Sequence, residues 1–138
     1  MLNEHQLPNH IALNVIARVL FTSLFLISGV THFIDIPYYL SLMPEGFPGG
    51  VPLILLSGVV ELVGALLILF NWRPRLGAWL LFIFLMPVTF VCHGYEMINA
   101  QDEAVRLMQQ AHFLKGIGLM GAALLLTQVG VTHKGTTD

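Results

Sequence analysis

Long apolar runs alternate with short polar breaks along the chain. Four runs hold about 20 mostly apolar residues each, the length of helix that crosses a hydrocarbon core of about 30 Å. They cover residues 11–34, 51–70, 76–92 and 111–129. The runs are continuous rather than alternating, and a helix satisfies its own backbone hydrogen bonds in lipid, so helices are predicted rather than barrel strands. The pattern therefore predicts an all-α integral membrane four-helix bundle, with residues 1–138 as a single transmembrane domain.

The composition also indicates a membrane protein. Of the 138 residues, 56% are hydrophobic and 10% are charged, and a small soluble domain could not hide so much apolar surface. The formal net charge is −2 and the Lys and Arg residues are dispersed, so nucleic acid is not an expected partner. Cys92 is the single cysteine, which excludes an intrachain disulfide and an all-cysteine metal site. The expected partner is the lipid bilayer.

Positive charges in the breaks predict the orientation. Arg73 and Arg75 lie in the break between the second and third runs, on the same side as both termini if the chain crosses four times. Short cytoplasmic loops carry an excess of Lys and Arg, so both termini are expected in the cytoplasm. Aromatic residues near the ends of the runs, such as Tyr39 and Trp79, are expected to anchor the protein in the headgroup region.

Glu61 is the acidic residue inside the second apolar run. At 1.5 Å per residue it lies near the bilayer midplane, where a charge costs about 2.5 to 3.5 kcal/mol on insertion scales unless a partner, water or protonation relieves it. Lys115 and Arg18 are the cations expected to reach it from other helices. Gly58 and Gly64 flank Glu61 on its own helix face, which predicts that this face packs on another helix rather than on lipid.

The other runs carry polar residues at helical spacing, which predicts a polar core. Pairs that share a helix face are Arg18 and His32, Thr89 and His93, and His112 and Lys115. The topology places the three histidines at similar depth near the outward end. Pro87 is expected to bend the third helix, and Gly118 and Gly121 are expected to let another helix approach the fourth.

Three interpretations of this polar core remain open. The groups could only pair and hydrogen-bond, so that they specify which helices meet. They could form a redox or proton-transfer pocket for a quinone, with Glu61 as the proton-exchanging group, Lys115 and Arg18 as its charge partners, and the histidines as the polar lining. A metal or haem site would use two or three histidines, but no spacing typical of metal ligands supports it, so no metal is expected.

Three stretches of the chain carry a family resemblance. They are RVLFTSLFLISGVTHF, GVVELVGALLILFNWRPRLGAWLLFIFLMPVTFVCH and AHFLKGIGLMGAALLL, and the residues that occur in a characteristic order are Arg18, Gly58, Glu61, Arg75, His112 and Lys115. With these residues the chain resembles the DoxX family of small four-helix inner-membrane proteins, from about residue 11 to residue 128.

The resemblance implies a location in the bacterial cytoplasmic (inner) membrane and an association with oxidoreductases. It leaves open whether the chain is itself an enzyme. The leading hypothesis is a quinone-contacting or proton-handling component of a membrane redox assembly, with a redox partner subunit. The alternative is a non-catalytic scaffold or assembly factor. Either could be a homo-oligomer.

Overall fold

The computed structural model describes residues 10–128, and every regular element in that range is a helix. The elements are α1 (Ile11–Ile34), α2 (Ile36–Ser41), α3 (Gly50–Leu69), α4 (Pro74–Pro87), a π-helix (Val88–His93), α5 (Gly94–Asn99) and α6 (Glu103–Gln128). The predicted all-α membrane fold class is confirmed.

Three helices within the described range are long and apolar enough to cross a membrane, namely Ile11–Ile34, Gly50–Leu69 and Pro74–Asn99. The third runs on through the π-helix to Asn99, whereas the sequence pattern predicted an end at residue 92. The helix continues because the chain widens into a π-helix directly after Pro87 instead of breaking there. That α6 also spans the membrane stays a prediction, and residue 129 lies outside the described residues.

Capping by an aspartate side chain determines where two further helices begin. The Asp35 side chain accepts a hydrogen bond from the Tyr38 backbone N–H at 3.3 Å, which begins the short helix α2 in the loop after α1. The Asp102 side chain accepts one from the Val105 N–H at 3.0 Å, so α6 begins at Glu103, before the apolar run from which it was predicted. Capping therefore extends α6 into a polar segment.

The long helices pack in chain order. Among the described residues α1 packs on α3, α3 on α4, and α4 on α6, while no Cα atom of α1 lies within 8 Å of one in α6. The apolar core lies along this row and consists largely of buried residues of α3 and α4, with Phe25 from α1 and Met120 from α6. Because α4 lies between them, α3 and α6 do not pack against each other in the described residues.

Glycines set the two closest helix approaches. A Cβ atom on Gly58 would lie 3.2 Å from the Gly29 carbonyl oxygen of α1, and one on Gly64 would lie 3.1 Å from the Gly77 carbonyl oxygen of α4. The α3 face that carries Glu61 is thus packed on both neighbours, as predicted. Each approach brings the backbone of one helix against the backbone of the next.

The small residues of α6 behave differently from expectation. A Cβ atom added at Gly118 or Gly121 would have no neighbouring heavy atom within 4 Å in the described structure. The prediction that another helix packs closely at these two glycines is therefore wrong there. Gly116 is the close contact instead, since the Thr89 side chain packs directly on it. Helical spacing could not separate these glycines, because it does not fix which face of α6 meets α4.

The outer surface of the helices is apolar. Only 11% of the most apolar window of α1 is buried within the protein, and side chains such as Leu20, Ile27 and Ile34 are 69–75% exposed. Surfaces of this kind contact lipid in membrane proteins, because a bilayer core is as apolar as the side chains themselves. The lipid bilayer is therefore a partner of the chain.

Candidate functional site

A cavity of about 460 Å³ lies among the helices at the end of the protein that carries α2. Its walls are mainly apolar and include Leu53, Ile54, Val60, Phe84 and Val88. Its polar lining includes Ser28, His32, Tyr39, His93, His112 and Lys115. These polar residues fall into two groups, which are built by different helices.

The first group, named here the Glu61 cluster, consists of Ser28, His32, Tyr39 and Glu61. Glu61 is 1% exposed and its Oε2 atom accepts a hydrogen bond from Ser28 Oγ at 3.3 Å. His32 Nδ1 lies 3.4 Å from the same Glu61 oxygen and 2.9 Å from the Ser28 carbonyl oxygen. Glu61 therefore lies behind the cavity wall and contacts it through Ser28 and His32.

The hydrogen bonds of His32 fix its tautomer. A carbonyl oxygen only accepts, so His32 Nδ1 carries the proton that it donates to Ser28. A neutral ring then has its acceptor at Nε2. The Tyr39 ring stacks on the His32 ring with centroids 3.7 Å apart, and the Tyr39 hydroxyl pairs with Thr31 Oγ1 at 2.6 Å. Packing and hydrogen bonds together hold the imidazole in one orientation.

The second group, named here the His93 cluster, consists of His93, Gln109, His112 and Lys115. The rings of His93 and His112 stack with centroids 5.1 Å apart and planes inclined by 17°. His93 Nδ1 lies 2.7 Å from Gln109 Oε1, and Lys115 Nζ lies 3.0 Å from His112 Nδ1. The π-helix and α6 thus supply one continuous polar wall.

The two histidines of this cluster take opposite tautomers. An amide oxygen only accepts, so His93 Nδ1 donates to Gln109 and its Nε2 is the acceptor. An ammonium group only donates, so His112 Nδ1 accepts from Lys115 and a neutral His112 carries its proton on Nε2. The cluster therefore offers a ligand both an imidazole acceptor and an imidazole donor, together with the remaining N–H groups of Lys115.

The structure brings five of the six predicted site residues to one region. His32, His93, His112 and Lys115 line the cavity, and Glu61 touches its wall through His32 and Ser28. Their proximity follows from the chain-order packing of the helices. The assignment of catalytic and binding roles to them stays a prediction.

Arg18 and Lys115 are not the partners of Glu61. Within residues 10–128 the only acidic–basic pairs closer than 4.0 Å are His32–Glu61 and Arg106–Glu103. The predicted pairing is wrong because Arg18 is ten residues before Ser28 on α1, roughly 15 Å along the axis, and because α4 lies between Glu61 and the helix of Lys115. The basic residue that lies next to Glu61 is His32.

Sequence reasoning missed Ser28, Tyr39 and Gln109. Tyr39 was expected to anchor the protein in the lipid headgroup region, yet its ring stacks on His32. Trp72, another aromatic residue near the end of an apolar run, is 81% exposed. The signal for Ser28 was its spacing, because it lies one helical turn before His32. Gln109 precedes the predicted fourth run, so only the capped extension of α6 brings it to His93.

The π-helix positions His93 and leaves one hydroxyl unsatisfied. π-Helices are rare and often mark functional sites, and this one carries both Thr89 and His93. Thr89 Oγ1 is buried without a hydrogen-bond partner among the described residues, although its side chain packs on Gly116. The hydroxyl thus contributes packing but no hydrogen bond.

Thr89→Val is expected to raise the free energy of unfolding by about 1 kcal/mol, because valine has the same shape and removes a buried hydroxyl that has no partner. Thermal unfolding of the purified protein in detergent measures the change. Thr127→Val is the matched control, since Thr127 Oγ1 donates to the Leu124 carbonyl at 2.6 Å, and no gain is expected there. A lower unfolding midpoint for Thr89→Val would show that the hydroxyl has a partner after all.

No group of three or more His, Cys, Asp and Glu side chains is arranged to hold a metal ion in the described part of the chain. His93 and His112 form a stacked pair of histidines, with their Nδ1 atoms hydrogen-bonded to Gln109 and Lys115. The arrangement offers hydrogen-bonding groups to the cavity.

Comparison with known proteins agrees with the membrane fold. The family model DoxX matches residues 13–94, which include all but the first two residues of α1, together with α3, α4, the π-helix and the Glu61 cluster. No curated protein and no solved structure matches the chain. The family match covers more than half of the sequence, and the chain belongs to the DoxX family.

Proposed function

We propose that the cavity binds the headgroup of a quinone, and that this DoxX protein is a quinone-contacting, proton-handling component of an oxidoreductase assembly in the bacterial cytoplasmic membrane. The observation that supports the proposal is a cavity with mainly apolar walls between two hydrogen-bonding clusters. A quinone headgroup has the matching chemistry, because its ring is apolar and its two carbonyl oxygens lie on opposite sides.

The cavity suits a ligand of this class in size and in donor set. Ligand pockets commonly measure about 300 to 1,000 Å³ with mainly apolar walls and a few placed polar groups, and this one measures about 460 Å³. Quinone carbonyls need donors and quinol hydroxyls need acceptors. His112 and Lys115 supply donors, while the Nε2 atoms of His32 and His93 supply acceptors, so both forms have partners.

A bound quinone supplies two-electron, two-proton redox chemistry, and the residues of this chain then have separate tasks. His32 exchanges a proton at Nε2 on the cavity side and holds Nδ1–H against Ser28 and Glu61. Glu61 is buried and lies 3.4 Å from His32 Nδ1, so that its ionised form would stabilise a positive charge on that imidazole. Tyr39 keeps the ring in place by stacking on it.

Electrons are proposed to pass to or from a redox partner subunit, since the single cysteine among the 138 residues cannot form a redox-active pair within the chain. The positively charged turn between α3 and α4 supports a cytoplasmic location for that end and for both termini. The cavity would then open at the outward end of the protein.

The test is binding of heptyl-hydroxyquinoline N-oxide, a fluorescent quinol analogue whose emission is quenched at quinol sites. Purified protein in detergent is expected to bind it with micromolar affinity. His93→Phe keeps an aromatic ring in the stack but removes the acceptor nitrogen, so affinity should fall about 10-fold, which corresponds to about 1.4 kcal/mol.

Arg106→Gln is the control for this measurement, because Arg106 is exposed, pairs with Glu103 at 2.6 Å and does not line the cavity. It should bind the analogue like the wild type. Absence of saturable binding by the wild-type protein, or equal affinity in His93→Phe, would contradict the proposal.

A further inference from the structure

A second cavity, of about 250 Å³, lies at the end of α1 away from the Glu61 cluster. It is lined by His10, Ile11, Asn14, Arg18 and Asn71. His10, Asn14 and Arg18 follow one another at four-residue spacing and therefore share one face of the helix, while Asn71 comes from the turn between α3 and α4. The cavity thus lies where the start of α1 faces that turn.

The Arg18 guanidinium is the dominant feature of this cavity. Its Nε and Nη1 atoms are buried and have no hydrogen-bond partner among residues 10–128. A guanidinium is always charged and carries five N–H donors, and burying such donors without acceptors is costly in a protein that lies in lipid. A negatively charged acceptor in the cavity would satisfy these N–H donors and balance the charge of Arg18.

The backbone of α1 points to the same chemistry independently. The side chain of His10, the N-cap residue, makes no capping hydrogen bond to the start of this 24-residue helix. The first N–H groups of a helix lack intrahelical partners and carry the positive end of the helix dipole, so they favour an anion. Within the described part of the chain none of the five lining residues is acidic, so these residues supply no counter-charge to Arg18.

We infer that this cavity is a phosphate-binding site, and that the phosphate is the headgroup of an anionic membrane lipid. Arg18 would bind two phosphate oxygens through its planar fork, with Asn14, Asn71 and the first turn of α1 as further donors. The position at the end of a membrane-length helix favours a lipid over a free anion, because lipid phosphates lie at that depth. The inference does not depend on the proposed quinone site.

Native mass spectrometry of delipidated protein in a non-ionic detergent tests the site. Phosphatidylglycerol, phosphatidylcholine and inorganic phosphate are added in separate titrations. The wild type is expected to bind one phosphatidylglycerol about 10-fold more tightly than Arg18→Gln does, the loss being that of a charge-assisted bidentate contact. Arg18→Lys, which keeps the charge but not the fork, should fall between them.

Arg106→Gln is the matched control, because it removes an exposed arginine that lies outside this cavity, and it should bind the lipid like the wild type. Thermal unfolding confirms that each variant is folded before it is titrated. Competition by millimolar inorganic phosphate would support the phosphate site and assign it to a free anion. Equal phosphatidylglycerol affinity in wild type and Arg18→Gln would overturn the inference.

Glu4 lies outside the described residues and supplies a further discriminating variant. If a carboxylate of the chain itself were the partner of Arg18, Glu4→Gln would bind phosphatidylglycerol while the wild type would not. That outcome would overturn the inference. Equal binding by Glu4→Gln and the wild type supports an external phosphate as the partner.

Discussion

Gly77→Ala is expected to lower the free energy of unfolding by about 1 to 3 kcal/mol, because the new methyl group has no room between α3 and α4. Its Cβ would lie 2.5 Å from the Gly64 backbone oxygen and 2.9 Å from Ile68 Cγ1. A backbone oxygen cannot turn aside as a side chain can, so the helices must separate. The separation would also disturb the α3 face that carries Glu61.

Thermal unfolding followed with a thiol-reactive dye is a convenient measurement, since Cys92 is the single cysteine and is half-buried in the folded protein. Gly118→Ala is the matched control. Its Cβ would meet open space, and alanine is about 0.5 to 1 kcal/mol more favourable than glycine in a helix. Gly118→Ala should therefore raise the midpoint. A Gly77→Ala protein as stable as the wild type would show that the two helices are not held at this distance.

The helices were largely predictable because lipid imposes a strong rule on sequence. A spanning helix needs a long continuous apolar run, and α1 and α3 follow those runs to within a residue at each end. The start of α6 and the end of α5 were not predictable from hydropathy, because Asp102 capping and the π-helix after Pro87 extend helices into polar sequence. Local hydrogen bonding sets those boundaries.

The candidate site was predictable in its residues but not in its pairs. Helical spacing placed His32, His93 and His112 on inward faces at similar depth, and the structure brings all three to one cavity. Spacing says nothing about which helices are neighbours. The chain-order packing of α1, α3, α4 and α6 decides that Glu61 meets His32 of the adjacent α1 and that Lys115 stays with His112 on its own helix.

Glu61→Gln is expected to leave the protein about as stable as the wild type and to reduce the number of protons exchanged when a ligand enters the cavity. The amide oxygen of glutamine can still accept the hydrogen bond that Ser28 Oγ donates to Glu61, while His32 Nδ1–H keeps its bond to the Ser28 carbonyl oxygen. The free energy of unfolding should therefore change by less than about 1 kcal/mol. Glutamine has no titratable proton, so this position can no longer take up or release one when a ligand binds.

Calorimetric titration with the quinol analogue, repeated in buffers of different ionisation enthalpy, measures the number of protons exchanged on binding. The wild type should exchange protons in a pH-dependent way, whereas Glu61→Gln should exchange up to about one fewer per site. Glu103→Gln is the control, because it removes an exposed carboxylate that is paired with Arg106 and lies outside the cavity. It should exchange the same number of protons as the wild type.

This variant also separates the two functions that the sequence left open. If the polar core only specifies how the helices pack, analogue binding should not involve the Glu61 carboxylate, and Glu61→Gln should exchange the same number of protons as the wild type. If the cavity handles protons, the fold should persist while the proton count falls, because the shape and hydrogen-bond acceptor are kept and the exchangeable proton is not. An unchanged proton count in a folded Glu61→Gln protein would therefore decide for the scaffold. If the cavity handles protons, the buried carboxylate, at 1% exposure, acts on a ligand through His32 and Ser28.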